Sequence, residues 1–252
     1  MIDAHAHLTD KRYQSVEEVV SEFVKEGGEM VVDAGYDKLS SEGAFENAKN
    51  FGCVYFTCGY HPSEAGRDND FSIFERLLTH EKCVALGEIG LDYHWDYDRE
   101  KQKPLFYEQM KVANAHHLPI VVHSRDCSAD MLDFLRENKN LLTDGFLMHC
   151  YSESREQAKN YIDLGAHFSF GGVITFKNAK KEDIISYIPK DRILAETDSP
   201  YLTPEPFRGQ LNSPAKVRFV YKKLAEIMGE TYERVEEITR QNIRSLFKKV
   251  RV

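Results

Sequence analysis

Short apolar or β-branched runs alternate with longer amphipathic stretches along the whole chain, and this alternation constrains the fold more than any other feature. Strand candidates begin near Met1, Met30, Val54, Val84, Ile120, Phe146, His167 and Ile193, eight in all. Helical patterns fill the gaps. Val16, Val19, Val20, Phe23 and Val24 recur at i, i+3, i+4, i+7 and i+8, one face of a helix. Phe106, Met110 and Ala113 line a second helix, and Met131, Leu132 and Leu135 a third. Ser213–Pro214 reads as an N-cap followed by proline at the first helical position. Val217, Val220, Tyr221, Leu224 and Ile227 then form an apolar face that Gly229 ends, and Thr231 caps a last helix. Alternating strands and helices imply a parallel sheet. The expected fold is therefore a single α/β domain over residues 1–252, an eight-stranded parallel (β/α)8 TIM-type barrel with helices outside. An open doubly wound sheet would often carry a glycine-rich phosphate loop after its first strand, and none follows Met1–His5. Pro200–Pro214 reads as a loop, because a full helical pattern follows it.

Composition narrows the class. The net charge of −8 argues against a broad, non-specific nucleic-acid surface, though not against a local site where metal ions supply positive charge. The five cysteines are odd in number and none are spaced C-x-x-C, which favours reduced thiols and a cytoplasmic location. No apolar run is long enough to span a bilayer, and MIDAHAHLTD lacks the marks of a signal peptide, so no membrane association is expected.

Polar residues gather where strands are expected to end. His5 and His7 sit at the end of the first, and residues i and i+2 of a strand share a face. Glu88 falls at the end of the fourth, His123 closes PIVVH, His149 closes FLMH and Asp198 closes ILAETD. In a barrel those ends form one mouth, where active sites lie. Four imidazoles and two carboxylates would be costly to bury unpaired, and divalent cations satisfy both. Six ligands exceed one tetrahedral ion and suit two ions sharing a carboxylate. The remaining histidines weighed, His80, His116, His117 and His167, read as structural. Cys127 and Cys150 read as small buried hydrophobes.

These stretches resemble the TatD family of metal-dependent deoxyribonucleases, within the amidohydrolase-like barrels. The resemblance rests on DAHAHL (3–8), GYHP (59–62), LGEIGLDYH (86–94), PIVVHSRD (119–126), MHCYS (148–152), SFGGVITFKNA (169–179), ETDSPYLTP (196–204), RGQLNSP (208–214) and NIRSLF (242–247). Tyr151 and Glu153 depart from the family's usual HCFSG, which affects a loop more than a ligand. The resemblance implies one metal on His5, His7, Glu88 and Asp198, and a second on Glu88, His123 and His149 with Glu88 bridging. It implies magnesium or manganese for activity, with zinc also accepted, and hydrolysis of DNA as a 3′→5′ exonuclease on single-stranded or frayed 3′ ends. By analogy the chain is a monomer.

Asp198 is the expected general base, with Glu88 and His61 as the other catalytic groups. His61 would bind the phosphate or protonate the leaving 3′-oxygen. Arg125 and Arg208 are candidate phosphate contacts, each with a salt bridge as its alternative. Tyr93, Trp95 and Tyr97 are candidate stacking platforms for an unpaired base, with loop packing as the alternative. Asp92, Asp96 and Asp98 are read as acids of the same loop, so the grip on DNA away from the metals should be weak. Two other functions compete. One is a hydrolase of a small ester, lactone or amide on the same barrel. Many of those bridge their metals with a carboxylated lysine where this chain has Glu88. The other is a barrel that binds without catalysis, whose signature would be a missing Glu88 or Asp198.

Overall fold

The computed structural model describes residues 1–251. Eight parallel strands follow one another in a single sheet, β1 (Ile2–Ala6), β2 (Met30–Ala34), β3 (Val54–Cys58), β4 (Cys83–Asp92), β5 (Ile120–Arg125), β6 (Phe146–Met148), β7 (Ala166–Phe170) and β8 (Ile193–Ala195). The helices are α1 (Val16–Lys25), α2 (Lys38–Asn50), α3 (Ser72–Leu77), α4 (Arg99–Ala115), α5 (Ser128–Glu137), α6 (Arg155–Asp163), α7 (Glu182–Tyr187), α8 (Val217–Met228) and α9 (Tyr232–Leu246). The sheet curls into a nearly closed barrel whose last seam is thin. Ala6 bridges Ser199, the His7 amide donates to the Ser199 carbonyl at 2.7 Å, and the Asp198 amide donates to His5 at 3.0 Å.

Two apolar layers follow from strand alternation. Residues pointing outward, such as Phe56, Leu86 and Phe168, pack beneath the helices with Phe23, Phe106 and Tyr221. Residues pointing inward fill the lower barrel, where Ile2, Met30, Val32, Leu147 and Leu194 meet Ile243, Leu246 and Phe247 from the end of α9. That plug leaves only the opposite mouth open.

Local signals mostly behaved as their chemistry dictates. Gly229 ends α8 in the left-handed conformation at φ 64°, and the Thr231 side chain caps α9 by accepting from the Arg234 amide. Two expectations need correction. Ser213 precedes a short 3₁₀ turn, Pro214–Lys216, and α8 starts only at Val217. Val24, placed by spacing on the buried face of α1, is 51% exposed, while Val20 and Phe23 are buried and Val16 and Val19 pack half-buried against the core. Among the described residues no helix is long and apolar enough to cross a membrane.

His167 lies on β7 beside Leu147 of β6, facing the barrel interior. It is 4% exposed and neither ring nitrogen has a partner. Burial, followed by the charge of Arg192, pushes its pKa down to about 4. The unfolded chain therefore takes up this proton first as pH falls. The neutral ring's contribution is complete above about pH 6.5 and is lost between there and about pH 4. His167→Leu should flatten the stability loss between pH 7 and 4.5 by about 2–3 kcal/mol, measured by urea denaturation. An identical loss in both proteins would refute this account of His167.

Candidate metal centre

Two one-residue irregularities aim the polar side chains into the mouth. In β1, Asp3 pairs with Val31 and Ala6 with Asp33, so β1 carries one residue more than β2 across the interval. The extra residue shifts the alternation. Ile2 and Ala4 point into the barrel, and so do His5 and His7. In β4, Leu86 pairs with Ile120 and Ile89 with Val122, again one residue extra. Glu88 and Asp92 turn inward while Leu86, Ile89 and Leu91 pack outward. The two strands approach too closely for side chains at the neighbouring positions. A Cβ on Gly90, at φ +150°, would lie 2.0 Å from the His123 carbonyl oxygen, and one on Gly87 would lie 2.6 Å from Val121 Cβ.

The strand-end placement needs refinement. Glu88 is inside β4, which runs four residues further to Asp92. Asp92 is thus a strand residue and not a loop acid. Its carboxylate lies 3.0 Å from His123 Nε2, and it is 1% exposed. His123 lies within β5, His149 directly follows β6, and Asp198 sits three residues past β8 at φ 51°.

Glu88 divides its two oxygens between two histidine pairs. Oε2 lies 3.5 Å from His5 Nε2 and 3.7 Å from His7 Nε2. Oε1 lies 2.6 Å from His123 Nδ1 and 2.9 Å from His149 Nε2. Asp198 Oδ1 joins the first pair, 3.3 Å from His7 Nε2 and 3.9 Å from His5. Burial favours a protonated Glu88, but the imidazoles of His149, His123 and His5 outweigh it and hold the carboxyl well below its ordinary range. Burial likewise opposes charge on His7, yet Asp198 and Glu88 push its pKa up to about 9. His5 goes the other way, depressed by burial and by His149. Imidazolium protons thus balance the carboxylates, and a metal ion would take their place.

The surroundings fix these groups. His7 Nδ1 faces the Ala34 carbonyl at 3.1 Å, which places its proton there and turns the Nε2 lone pair to the cluster. Asp3 holds the seam. Its carboxylate accepts from the Thr197 amide at 2.9 Å and the Thr197 hydroxyl at 2.6 Å. Glu196 Oε2 accepts from Ser169 at 2.5 Å, while Oε1 lies 3.8 Å from His149 Nδ1. Sequence alone did not mark Asp3 or Glu196, and it placed Asp92 in a loop. Asp92 lies four residues from Glu88 on one strand and shares its inward face, and that spacing was the available signal, whereas the bulge separates the faces of Asp3 and His5, and Glu196 lies past β8. Asp3→Ala would strand two buried donors of Thr197 and should cost about 2–4 kcal/mol. Thermal unfolding of Asp3→Ala beside Asp3→Asn, which keeps an acceptor, checks this; equal loss in the two would remove the seam argument.

The mouth encloses about 460 Å³, lined in part by His7, His61, Glu88, His123, His149 and Asp198. His61 Nδ1 accepts from the Ser63 amide at 3.1 Å, so its neutral ring carries the proton on Nε2. Burial and the neighbouring His123 push its pKa down to about 3. Arg125 lines the cavity with its guanidinium 5.6 Å from the centroid of the half-exposed Trp95 ring. Asp126, the alternative partner for Arg125, instead pairs with His94 at 2.9 Å. Tyr93 and Arg208 do not line this cavity. The Tyr93 hydroxyl donates to Asp130 at 2.7 Å, and Arg208 packs over Phe176, 4.0 Å from Glu205. Tyr97, a stacking candidate from sequence, lines the rim with Tyr36 and Tyr201, which sequence did not single out.

The donor set fits divalent metal. Ligand atoms of His5, His7 and Asp198 lie within 4.8 Å of one another, as do those of Glu88, His123 and His149. Both ring nitrogens of His5, Nδ1 of His149 and Oε1 of Glu196 are buried without hydrogen-bond partners. Such orphaned lone pairs are costly unless a cation or proton meets them.

Comparison with known proteins agrees. A metal-dependent hydrolase from Bacillus subtilis, YabD, is 39% identical over 253 residues, covering 98% of this chain and 99% of that protein. YcfH, a metal-dependent hydrolase of Escherichia coli K12, is 35% identical over 254 residues, covering 98% and 95%. The crystal structure of YjjV, a TatD homologue from Escherichia coli, superposes with a TM-score of 0.88 at 28% identity, covering 98% of both chains. The family model described as TatD related DNase matches residues 2–248. With that match running through every strand and helix of the barrel, the chain belongs to the TatD family and is a metal-dependent hydrolase.

Proposed function

We propose that this chain hydrolyses phosphodiester bonds of DNA from the 3′ end, on single-stranded or frayed ends, with two divalent ions in the mouth. The observation that carries this reading is the division of Glu88, one oxygen facing His5 and His7, the other His123 and His149. His5, His7 and Asp198 would hold one ion, His123 and His149 the other, with Glu88 shared. When bound, such ions act as Lewis acids and bring the pKa of a coordinated water towards neutrality.

The chain's own groups supply the rest. Asp198 is held ionised at the mouth, where burial is outweighed by His7, His149 and His5, and can accept the proton of the attacking water. His61, neutral with its proton on Nε2, donates a hydrogen bond to a phosphate oxygen or the leaving 3′-oxygen. Its low pKa favours the donor role over full proton transfer. Arg125 stands where a guanidinium can pair with a phosphate, and Trp95 offers a ring for stacking of an unpaired base. With a net charge of −8, affinity rests on the mouth and not on a basic surface.

The test is an end-labelled single-stranded oligonucleotide incubated with chelator-stripped protein, then with magnesium, manganese or zinc, beside Asp198→Asn. A metal-dependent ladder shortening from the 3′ end, absent in the variant, is the expected result. Turnover of a lactone or cyclic amide with the oligonucleotide intact would replace this reading with a small-substrate hydrolase on the same ligands.

A further inference from the structure

A second cavity of about 270 Å³ adjoins the first and shares His123, Arg125, His149 and Asp198 with it. Its walls differ in character. Phe170, Val173, Ile174 and Leu202 make it mainly apolar, with Ser124 and Ser152 as polar points. It is smaller and more enclosed than the mouth. Lys181 lines it and donates to the Ser152 carbonyl at 2.5 Å, tying the loop after β6 to the segment before α7. Leu202, 38% exposed, presents apolar surface to the cavity. The metal-ligand cluster and Arg125 therefore stand between two unequal compartments, one open and rimmed with aromatics, the other short and greasy.

We infer that this second cavity holds the 3′-terminal nucleoside of the substrate, the base lying against Phe170, Val173, Ile174 and Leu202, while the rest of the chain leaves through the open mouth. The inference rests on the phosphodiesterase reading above. With a scissile phosphate at the ligand residues that the two cavities share, one ester arm can lie in each compartment. The smaller and less open compartment suits a single nucleoside, while the wider mouth suits the rest of the strand. Its apolar walls suit any base face, so recognition there is of a nucleoside and not of a sequence. Arg125, common to both compartments, is placed to pair with the phosphate between them. Cleavage would then free a nucleoside 5′-monophosphate at each step, because the bond broken joins phosphorus to the 3′-oxygen of the preceding nucleotide.

Two small substrates isolate the cavity. Thymidine 5′-p-nitrophenyl phosphate and methyl p-nitrophenyl phosphate share the phosphodiester and the leaving group. In both, water oxygen adds to phosphorus and p-nitrophenolate departs. They differ only in the arm that would enter the second cavity. Metal-loaded protein should show a kcat/KM at least about 10-fold higher for the thymidine compound, the advantage that stacking of one base gives. Val173→Trp and Leu202→Trp fill the cavity from different loops, and each should bring the ratio to within about threefold. Equilibrium binding of thymidine 5′-monophosphate should weaken at least about 10-fold in the same variants. Circular dichroism and metal content establish which variants are folded, and either one alone suffices. A wild-type ratio near one, or a high ratio that survives the filling substitutions, overturns the assignment while leaving a phosphodiesterase. Failure to cleave either compound with any of the three metals sinks the phosphodiesterase reading and the assignment with it.

Discussion

Glu88→Gln is expected to lower phosphodiester turnover by about 10³-fold or more and to reduce bound metal, measured together by steady-state kinetics and elemental analysis. Glu88 is the one side chain within 3.7 Å of all four histidines of the cluster, so its charge serves both halves of the site. Glutamine keeps the shape and one carbonyl oxygen but removes the charge. His149 and His123 would lose a carboxylate that holds up their pKa values, though burial opposes it. Glu88→Asp keeps the charge and draws it back by one methylene. It should therefore retain more metal than Glu88→Gln and still lose most activity. Full metal content in Glu88→Gln with activity down by less than about tenfold would remove Glu88 as the shared ligand.

Gly90→Ala should destabilise the protein by roughly 2–6 kcal/mol, combining backbone strain with overpacking. That is a large share of the roughly 5–15 kcal/mol by which domains are stable. The added Cβ would lie 2.0 Å from a backbone carbonyl, which cannot swing aside as a flexible side chain can. That carbonyl belongs to His123, so whatever gives way also displaces a ligand candidate. Gly52→Ala is the control, since a Cβ there meets nothing within 4 Å, and it should change stability by less than about 0.5 kcal/mol. Comparable losses for the two substitutions in guanidinium denaturation would contradict the close-approach argument.

The architecture was legible in the sequence because short apolar or β-branched runs alternate with longer amphipathic stretches along the chain. His5, His7, Glu88, His123, His149 and Asp198 stood out because polar residues beside apolar runs are conspicuous, and the fold does bring them together. What stayed hidden depends on bulges. With β4 expected to stop at Glu88, Asp92 looked like a loop acid, and only the longer strand turns it towards His123. Tyr93 was grouped with Trp95 by adjacency, but its hydroxyl turns to Asp130. The short helices α3 and α7, six residues each, carry too few turns to show a periodic face. The second cavity was not legible at all, since its walls come from four separate loops and from side chains that read individually as core.

The thin seam between β1 and the segment after β8 has a consequence for how the protein is held shut. Asp3 and Thr197, 194 residues apart in sequence, meet there, and His5, His7 and Asp198 stand on its two sides. An ion gripped by those three would cross-link the first strand to the segment after the last, closing a loop that runs from His5 to Asp198. Long loops are where a tether restricts the unfolded ensemble most. A cation held there would thus also act as the hoop of the barrel, with the register of its closing strands and the occupancy of the site coupled as one equilibrium.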